Sequence, residues 1–234
     1  MDTIIPSSLD FANHGADATK KDIQTLCDAV VAHKFNSAFV NPIHIKDAKA
    51  YLQGKSKVGT VISFPLGQDI RDVKIHAIRE AVQNGVDELD IVPDISRLKE
   101  GDEKAFEEEL ITLVTTAKSM RAEVIVKFII ETGLFLPAAF LHLDTPEIQQ
   151  GKELVKKASL AIVRSGADFI KICSGMGKRG VSPDDVVFIR SLVGPDMKIK
   201  GAGGVHTKEQ ALALFKAGAN RLGTSQAPAI INAL

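Results

Sequence analysis

Residues 167–204 read ADFIKICSGMGKRGVSPDDVVFIRSLVGPDMKIKGAGG. ADFIKIC at 167–173 and MKIKGA at 197–202 are short, largely apolar runs, and the stretch at 182–193 between them is longer and amphipathic. Short runs rich in β-branched residues fit strands buried on both faces of a parallel sheet, and the longer stretch fits a crossover helix. Ser182-Pro183-Asp184 supplies the hydroxyl, proline and early acid of a helix start. The segment is a strand–helix–strand unit, and each strand carries a lysine among apolar neighbours.

The same unit recurs in both directions. Further strands are expected near 7–11, 37–42, 57–64, 87–93, 123–131 and 220–224. Helices near 19–34, 44–53, 69–84, 102–120, 147–165, 207–217 and 225–232 alternate with them. Asn84-Gly85, Ser165-Gly166 and Ala217-Gly218 place a glycine just past a helix end, where a left-handed conformation is needed. Thr207-Lys208-Glu209 reads as another helix start. Strict alternation implies a parallel sheet with helical crossovers, and eight units are the number that closes a barrel. An open doubly wound sheet would carry a Gly-rich fingerprint after its first strand, and FANHGADAT after Asp10 contains no GxGxxG. The expected fold is an α/β (β/α)8 TIM barrel, one domain over residues 1–234. The longest irregular stretch is 133–146.

Composition agrees. A chain of 234 residues fits one such barrel, a fold of roughly 250 residues. Basic and acidic side chains balance at 29 each, so no broad field favours nucleic acid or an anionic membrane, and any anion site must be local. Two isolated cysteines, Cys27 and Cys173, make no disulfide framework and match no zinc-ligand spacing. The opening MDTIIPSSLD has no basic run before an apolar stretch, and no apolar run approaches the roughly 20 residues that span a bilayer. A cytoplasmic protein with neither a nucleic-acid nor a membrane partner is expected.

In a barrel the chemistry sits at the C-terminal ends of the strands. Polar residues occupy few strand positions where apolar ones are expected: Asp10, Asp90, Lys127, Lys171 and Lys200, with Glu131 at a strand tip. Lys171 and Lys200 lie on consecutive strands, and neighbouring strands are about 4.8 Å apart. Two inward ammonium groups at similar heights oppose each other's protonation, and desolvation acts the same way. One amine is then neutral near pH 7 and can attack a carbonyl, as a Schiff-base lysine does. The plainer alternative turns one lysine outward to snorkel between helices.

Glycines give a second signal. Gly201-Ala202-Gly203-Gly204 follows the seventh strand, Gly223-Thr224-Ser225 the eighth, and Gly175-Met176-Gly177 the sixth, with Lys178 and Arg179 beside it. Barrels often hold phosphate on the loops after strands seven and eight, using bared backbone N–H groups. The six histidines at 14, 33, 44, 76, 142 and 206 include no HxH or HExxH pair, so no metal site is expected. Cys173 reads as a small pocket-lining residue, and Lys127 with Glu131 as an ion pair or nearby charge. His206 reads as a cap or a phosphate contact, and Asp102, Glu103, Glu107, Glu108 and Glu109 as a solvated helix face.

These segments resemble the deoxyribose-phosphate aldolase family. FIKICSG is similar to the segment that carries that family's Schiff-base lysine, and KIKGAGGVHT to the one with its second lysine. DELDIV resembles the segment of the catalytic aspartate, and SLDFANHGADAT lines up with the N-terminal segment, placing an aspartate on Asp10. VISFPLG at 61–67, VKFIIET at 126–132, FVNP at 39–42 and RLGTS at 221–225 extend the likeness over nearly the whole chain. Departures are Cys173 and Ser174 in place of Ser and Thr, Phe39 for a frequent cysteine, Ala12 for a hydroxyl residue, and Met176 and Gln226 at phosphate-side positions.

The resemblance implies a class I aldolase that reversibly cleaves 2-deoxy-D-ribose 5-phosphate to acetaldehyde and D-glyceraldehyde 3-phosphate, with no cofactor. It places the nucleophile on Lys171, its charged neighbour on Lys200 and proton transfer on Asp90, with Asp10 orienting the network. Gly175, Gly203, Gly204, Gly223 and Ser225 would hold the phosphate. A homodimer or higher homo-oligomer is implied too. Alternatives are a Schiff-base aldolase with another aldehyde acceptor, an acid–base isomerase or synthase on the same barrel, and an inactive sugar-phosphate-binding barrel.

Overall fold

A computed structural model describes residues 5–232, so the ends of the expected 1–234 domain, residues 1–4 and 233–234, lie outside the description. Eight parallel strands close into a barrel in chain order. They are β1 (Leu9–Asn13), β2 (Ser37–Val40), β3 (Lys57–Ile62), β4 (Glu88–Ile91), β5 (Ile125–Ile129), β6 (Phe169–Lys171), β7 (Lys198–Ala202) and β8 (Arg221–Thr224). The helices outside are α1 (Lys20–His33), α2 (Ile45–Leu52), α3 (Arg71–Gln83), α4 (Ser96–Glu100), α5 (Glu103–Met120), α6 (Pro146–Arg164), α7 (Pro183–Val193), α8 (Lys208–Lys216) and α9 (Ala227–Asn232).

Side chains alternate across each strand, and this sorts charge from apolar mass. Ala38, Leu89, Ile91, Val126, Phe128, Ile170, Ile199 and Leu222 belong to the apolar core that also takes in the helices' buried residues. The residues between them converge on one another inside the barrel: Asp10, Phe39, Glu88, Asp90, Lys127, Phe169, Lys171, Lys200 and Arg221. The barrel therefore has an apolar shell and a charged centre.

Caps fix the helix entries as the sequence suggests. Ser182 and Thr207 each accept a hydrogen bond from the backbone N–H three residues on, in reciprocal capping boxes with Asp185 and Gln210. Gly85, Gly166 and Gly218 all have positive φ, as their helix-end positions require.

Three expectations need correction. The first strand begins at Leu9 rather than residue 7, because Pro6–Ser8 forms a one-turn 3-10 helix in which Ser8 Oγ donates to Ile5 O at 2.6 Å. The short helix α4 follows Asp94, whose carboxylate accepts from Ser96 N at 3.2 Å, and no apolar period announces so brief an element. Glu109 is not on a solvated face. It is buried and pairs with the fully buried Lys74 of α3 at 2.8 Å, while its other oxygen accepts from Asp94 N at 2.8 Å. The stretch at 133–146 is tied to α7: Asp184 accepts from Phe140 N and Leu141 N at 2.8 and 3.0 Å, and the Phe140 ring meets Phe188 edge-on.

Removing one partner of a buried ion pair leaves the other charge uncompensated and destabilises a protein by about 3–5 kcal/mol. Glu109→Ala is expected to lower unfolding free energy by that amount in denaturant titration, and the double change Glu109→Leu/Lys74→Met by much less. Equal losses in the two variants would contradict the pairing.

Candidate active site

The strand register sets Lys171 beside Lys200 and Asp90 beside Lys127. Lys171 and Lys200 are 3% and 1% exposed, so neither snorkels outward. Both Nζ atoms lie 2.8 Å from the same oxygen, Oδ2 of Asp90. The two nitrogens are thus within two hydrogen-bond lengths of one another. Lys200 has a second carboxylate, Asp10 Oδ2 at 2.6 Å, and its ammonium sits 3.7 Å from the centre of the Phe39 ring. Among the described residues Lys171 has Asp90 alone as a carboxylate partner, with the Phe64 ring at 5.6 Å.

These surroundings treat the lysines differently. Burial is the main influence pushing the Lys171 pKa down, and the nearby Lys200 charge adds to it; Asp90 pulls the other way, and the net shift is downward. Lys127 meets the same burial, yet Asp90 and Glu88 outweigh it and its pKa is raised. For Asp90 burial opposes the charge, but Lys127, Lys171 and Lys200 together hold the carboxyl well below its ordinary range.

Beneath this trio lies a floor that the sequence reading missed. Glu88 Oε2 is 2.5 Å from Lys127 Nζ and 2.7 Å from Arg221 Nη1. Arg221 also stands 3.7 Å from Asp10 Oδ1, which accepts hydrogen bonds from Ser37 Oγ at 2.7 Å and Asn36 Nδ2 at 2.8 Å. The guanidinium stacks 4.8 Å from the Phe169 ring. A signal was available: Glu88 lies two residues before Asp90, so a strand must aim both to the same side. Lys127 therefore pairs with Glu88 and Asp90 and not with Glu131. Glu131 sits past the end of β5 with φ of 45°, which turns it aside so that its Oε2 accepts from Ser174 N at 2.9 Å.

Above the trio opens a cavity of about 810 Å³ lined by Lys171, Lys200, Ala12, Phe39, Met176 and Ser225 among others. Gly175, Gly203, Gly204 and Gly223 line it as well. Gly203 has φ of 82°, and a Cβ there would lie 2.7 Å from Gly175 Cα, so the loops after β6 and β7 nest backbone against backbone. Gly223 also makes room for Lys200. A Cβ on it would meet Lys200 Cε at 3.0 Å, so its bareness clears the lysine's path. Gly59 serves Phe39 likewise, since a Cβ there would collide with the ring.

Other candidates lie elsewhere. Cys173 is fully buried behind the cavity with its thiol 3.4 Å from Thr132 Oγ1, and burial pushes its pKa up to about 12. It is not a lining residue. Arg179 is committed to Asp185 through contacts of 2.6 and 2.9 Å and Lys178 is exposed, whereas His206, also exposed, does line the cavity, beside Gly203 and Gly204. His14, a lone histidine in the sequence, lines the cavity, packs 5.2 Å from the Phe64 ring and has its pKa lowered to about 4, by burial first and then by Lys171.

Comparison with known proteins agrees with this geometry. A deoxyribose-phosphate aldolase of Thermococcus gammatolerans is 40% identical over 230 residues, covering 97% of this chain and 95% of its own. Among solved structures, an aldolase named QR15 superposes with a TM-score of 0.84 at 31% identity over 97% of this chain and 94% of its own. A tetrameric deoxyribose phosphate aldolase from Aeropyrum pernix superposes with a TM-score of 0.84 at 27% identity, covering 97% and 89%. The family model of DeoC/LacD aldolases matches residues 4–225, and the chain belongs to that family.

Proposed function

We propose that this protein reversibly cleaves 2-deoxy-D-ribose 5-phosphate to acetaldehyde and D-glyceraldehyde 3-phosphate through a Schiff base on Lys171. The observation that carries the reading is the pair of buried lysines sharing Asp90 Oδ2, with only Lys171 lacking a second carboxylate.

Lys171 Nζ, having released its proton, adds to the C1 carbonyl of the open-chain sugar to give a carbinolamine, which loses water to form an iminium. The C2–C3 bond then breaks. Its electrons move onto the iminium as an enamine, and the C3 hydroxyl loses its proton as the second aldehyde forms. Protonation at C2 regenerates an iminium, and water releases acetaldehyde. Lys200, held between Asp10 and Asp90, remains an ammonium and polarises oxygen near the reacting carbon. Asp90, held as a carboxylate by the surrounding lysines, takes up a proton only transiently during dehydration and at C2. Asp10 keeps Lys200 in place.

The phosphate would lie on the amides of Gly175, Gly203 and Gly204, with Gly223 and the exposed Ser225 on the β8 side. Binding energy gathered there positions C1 over Lys171. Among the described residues no helix is long and apolar enough to cross a membrane. We place the protein in the cytoplasm and read it as a homo-oligomer, the oligomer being supported by the tetrameric Aeropyrum pernix relative.

Borohydride added with deoxyribose 5-phosphate is expected to leave a reduced adduct on Lys171, located by peptide mass spectrometry, and Lys171→Ala to abolish both adduct and turnover. An adduct on another lysine rejects the assignment. Lys200→Leu removes the neighbouring positive charge, so the Lys171 pKa rises and the ascending limb of the pH–kcat/KM profile moves to higher pH. A profile that stays in place argues against activation by Lys200. Gly203→Ala puts a Cβ against Gly175. It is expected to raise KM for the phosphorylated sugar, while adduct formation with free acetaldehyde persists; equal losses for both would remove the phosphate assignment.

A further inference from the structure

The centre of the barrel carries a charge imbalance. Among the described residues, three buried carboxylates, Asp10, Glu88 and Asp90, face four basic side chains, Lys127, Lys171, Lys200 and Arg221. Each of Lys127, Lys200 and Arg221 lies within 4 Å of two carboxylates, and Lys171 of one. Loss of one proton balances the group, and Lys171 is the residue that gives it up most readily.

We infer that Glu88 and Arg221, on the side of the barrel away from the cavity, are positioning residues that set the protonation of Lys171 by fixing the charge count around it. This rests on Lys171 being the nucleophile. Neither residue lines the cavity, so neither meets the substrate. Their influence passes through shared partners. Glu88 accepts Arg221 on both of its oxygens and Lys127 on Oε2, and Lys127 in turn touches Asp90 Oδ1 at 3.1 Å, the carboxylate that receives Lys171 on its other oxygen.

The groups facing this cluster from each packed element are few. β1 brings Asp10, with His14 just beyond it; β3 brings Lys57, 3.5 Å from Glu88 Oε1; β4 brings Glu88 and Asp90. β5 brings Lys127, β7 brings Lys200 with Lys198 over the Phe169 ring at 5.6 Å, and β8 brings Arg221. His14 is uncharged at neutral pH, its pKa being about 4. Lys57 is half exposed at the rim, so water weakens its charge without removing it and the buried groups weigh more in the count.

The test uses charge signs that a purely structural role does not reproduce. Removing a positive charge leaves the carboxylates uncompensated, so Lys171 keeps its proton to higher pH; removing a negative charge makes it release the proton at lower pH. Arg221→Gln is expected to move the ascending limb of borohydride trapping by acetaldehyde up by about one pH unit. Glu88→Gln should move it down by a similar amount, the effect of one charge roughly 10 Å away at an effective dielectric near 20. Arg221→Lys should leave it in place. Lys57→Gln, at the rim, disturbs no buried contact besides Glu88 and is expected to shift the limb slightly upward.

Trapping rate against pH is read on whatever fraction folds, so partial loss of protein does not alter the midpoint. Shifts of the same sign in Arg221→Gln and Glu88→Gln, or no shift in either, overturn the inference. If neither buried variant folds, a Lys57→Gln limb that moves downward or stays put does so. Failure of the functional reading looks different: the unmodified protein then gives no adduct on Lys171 at any pH.

Discussion

Asp90 Oδ2 accepts two lysines at 2.8 Å each, and the site depends on this one oxygen serving both. A carboxylate so placed holds two cations together that would otherwise separate. In water their mutual repulsion would be slight, but inside the barrel there is little solvent to screen it. The attraction of Asp90 keeps the lysines close, and burial first, with their repulsion adding to it, lowers the proton affinity of the one that has no second carboxylate among the described residues. Geometry and chemistry thus come from the same contact. Asp10 decides which lysine is which, because its 2.6 Å contact goes to Lys200 alone.

Such a cluster contributes little to stability by itself, since desolvating ions offsets most of what their pairing returns. The fold makes it tolerable by distributing the load. The alternating strands put the aliphatic residues into a continuous shell against the helices, and that shell supplies the burial energy. Within it, aromatic faces line the charges: Phe39 lies between Lys127 and Lys200, and Phe169 faces Lys127 and Arg221. A ring face offers an ammonium partial compensation without a proton acceptor. It does so without adding an anion that would raise the Lys171 pKa.

How much of this could be read in the sequence follows from what repeats. Eight apolar strand runs alternating with amphipathic helices involve dozens of residues, so the barrel was legible, and Lys171, Lys200, Asp90 and Asp10 stood out as polar residues at otherwise apolar strand positions. Glu88 and Arg221 were not, because each opens its strand and a charge at a strand end resembles a solvated one. Glu109 hid in an acidic run whose helical phase alone separates it from exposed Glu103 and Glu108. The expected link between Lys127 and Glu131 failed for a local reason. Four residues apart on a strand they would share a side, but β5 ends at Ile129 and the left-handed backbone at Glu131 breaks the alternation.

Phe39 shows how a departure from a family pattern can be absorbed. A ring in place of a small thiol needs room, and the neighbouring strand supplies it: Phe39 pairs in register with Gly59, whose missing Cβ leaves the space the ring occupies. On the opposite side of Lys200, Gly223 leaves space for the lysine stem. Lys200 is therefore confined by a ring on one side and a bare backbone on the other, with Asp10 and Asp90 at its tip. Four residues from β1, β2, β4 and β8 thus determine where one ammonium can sit. That confinement holds the charge at a fixed short distance from Lys171, and a flexible lysine in a roomier barrel would exert a weaker and less constant effect.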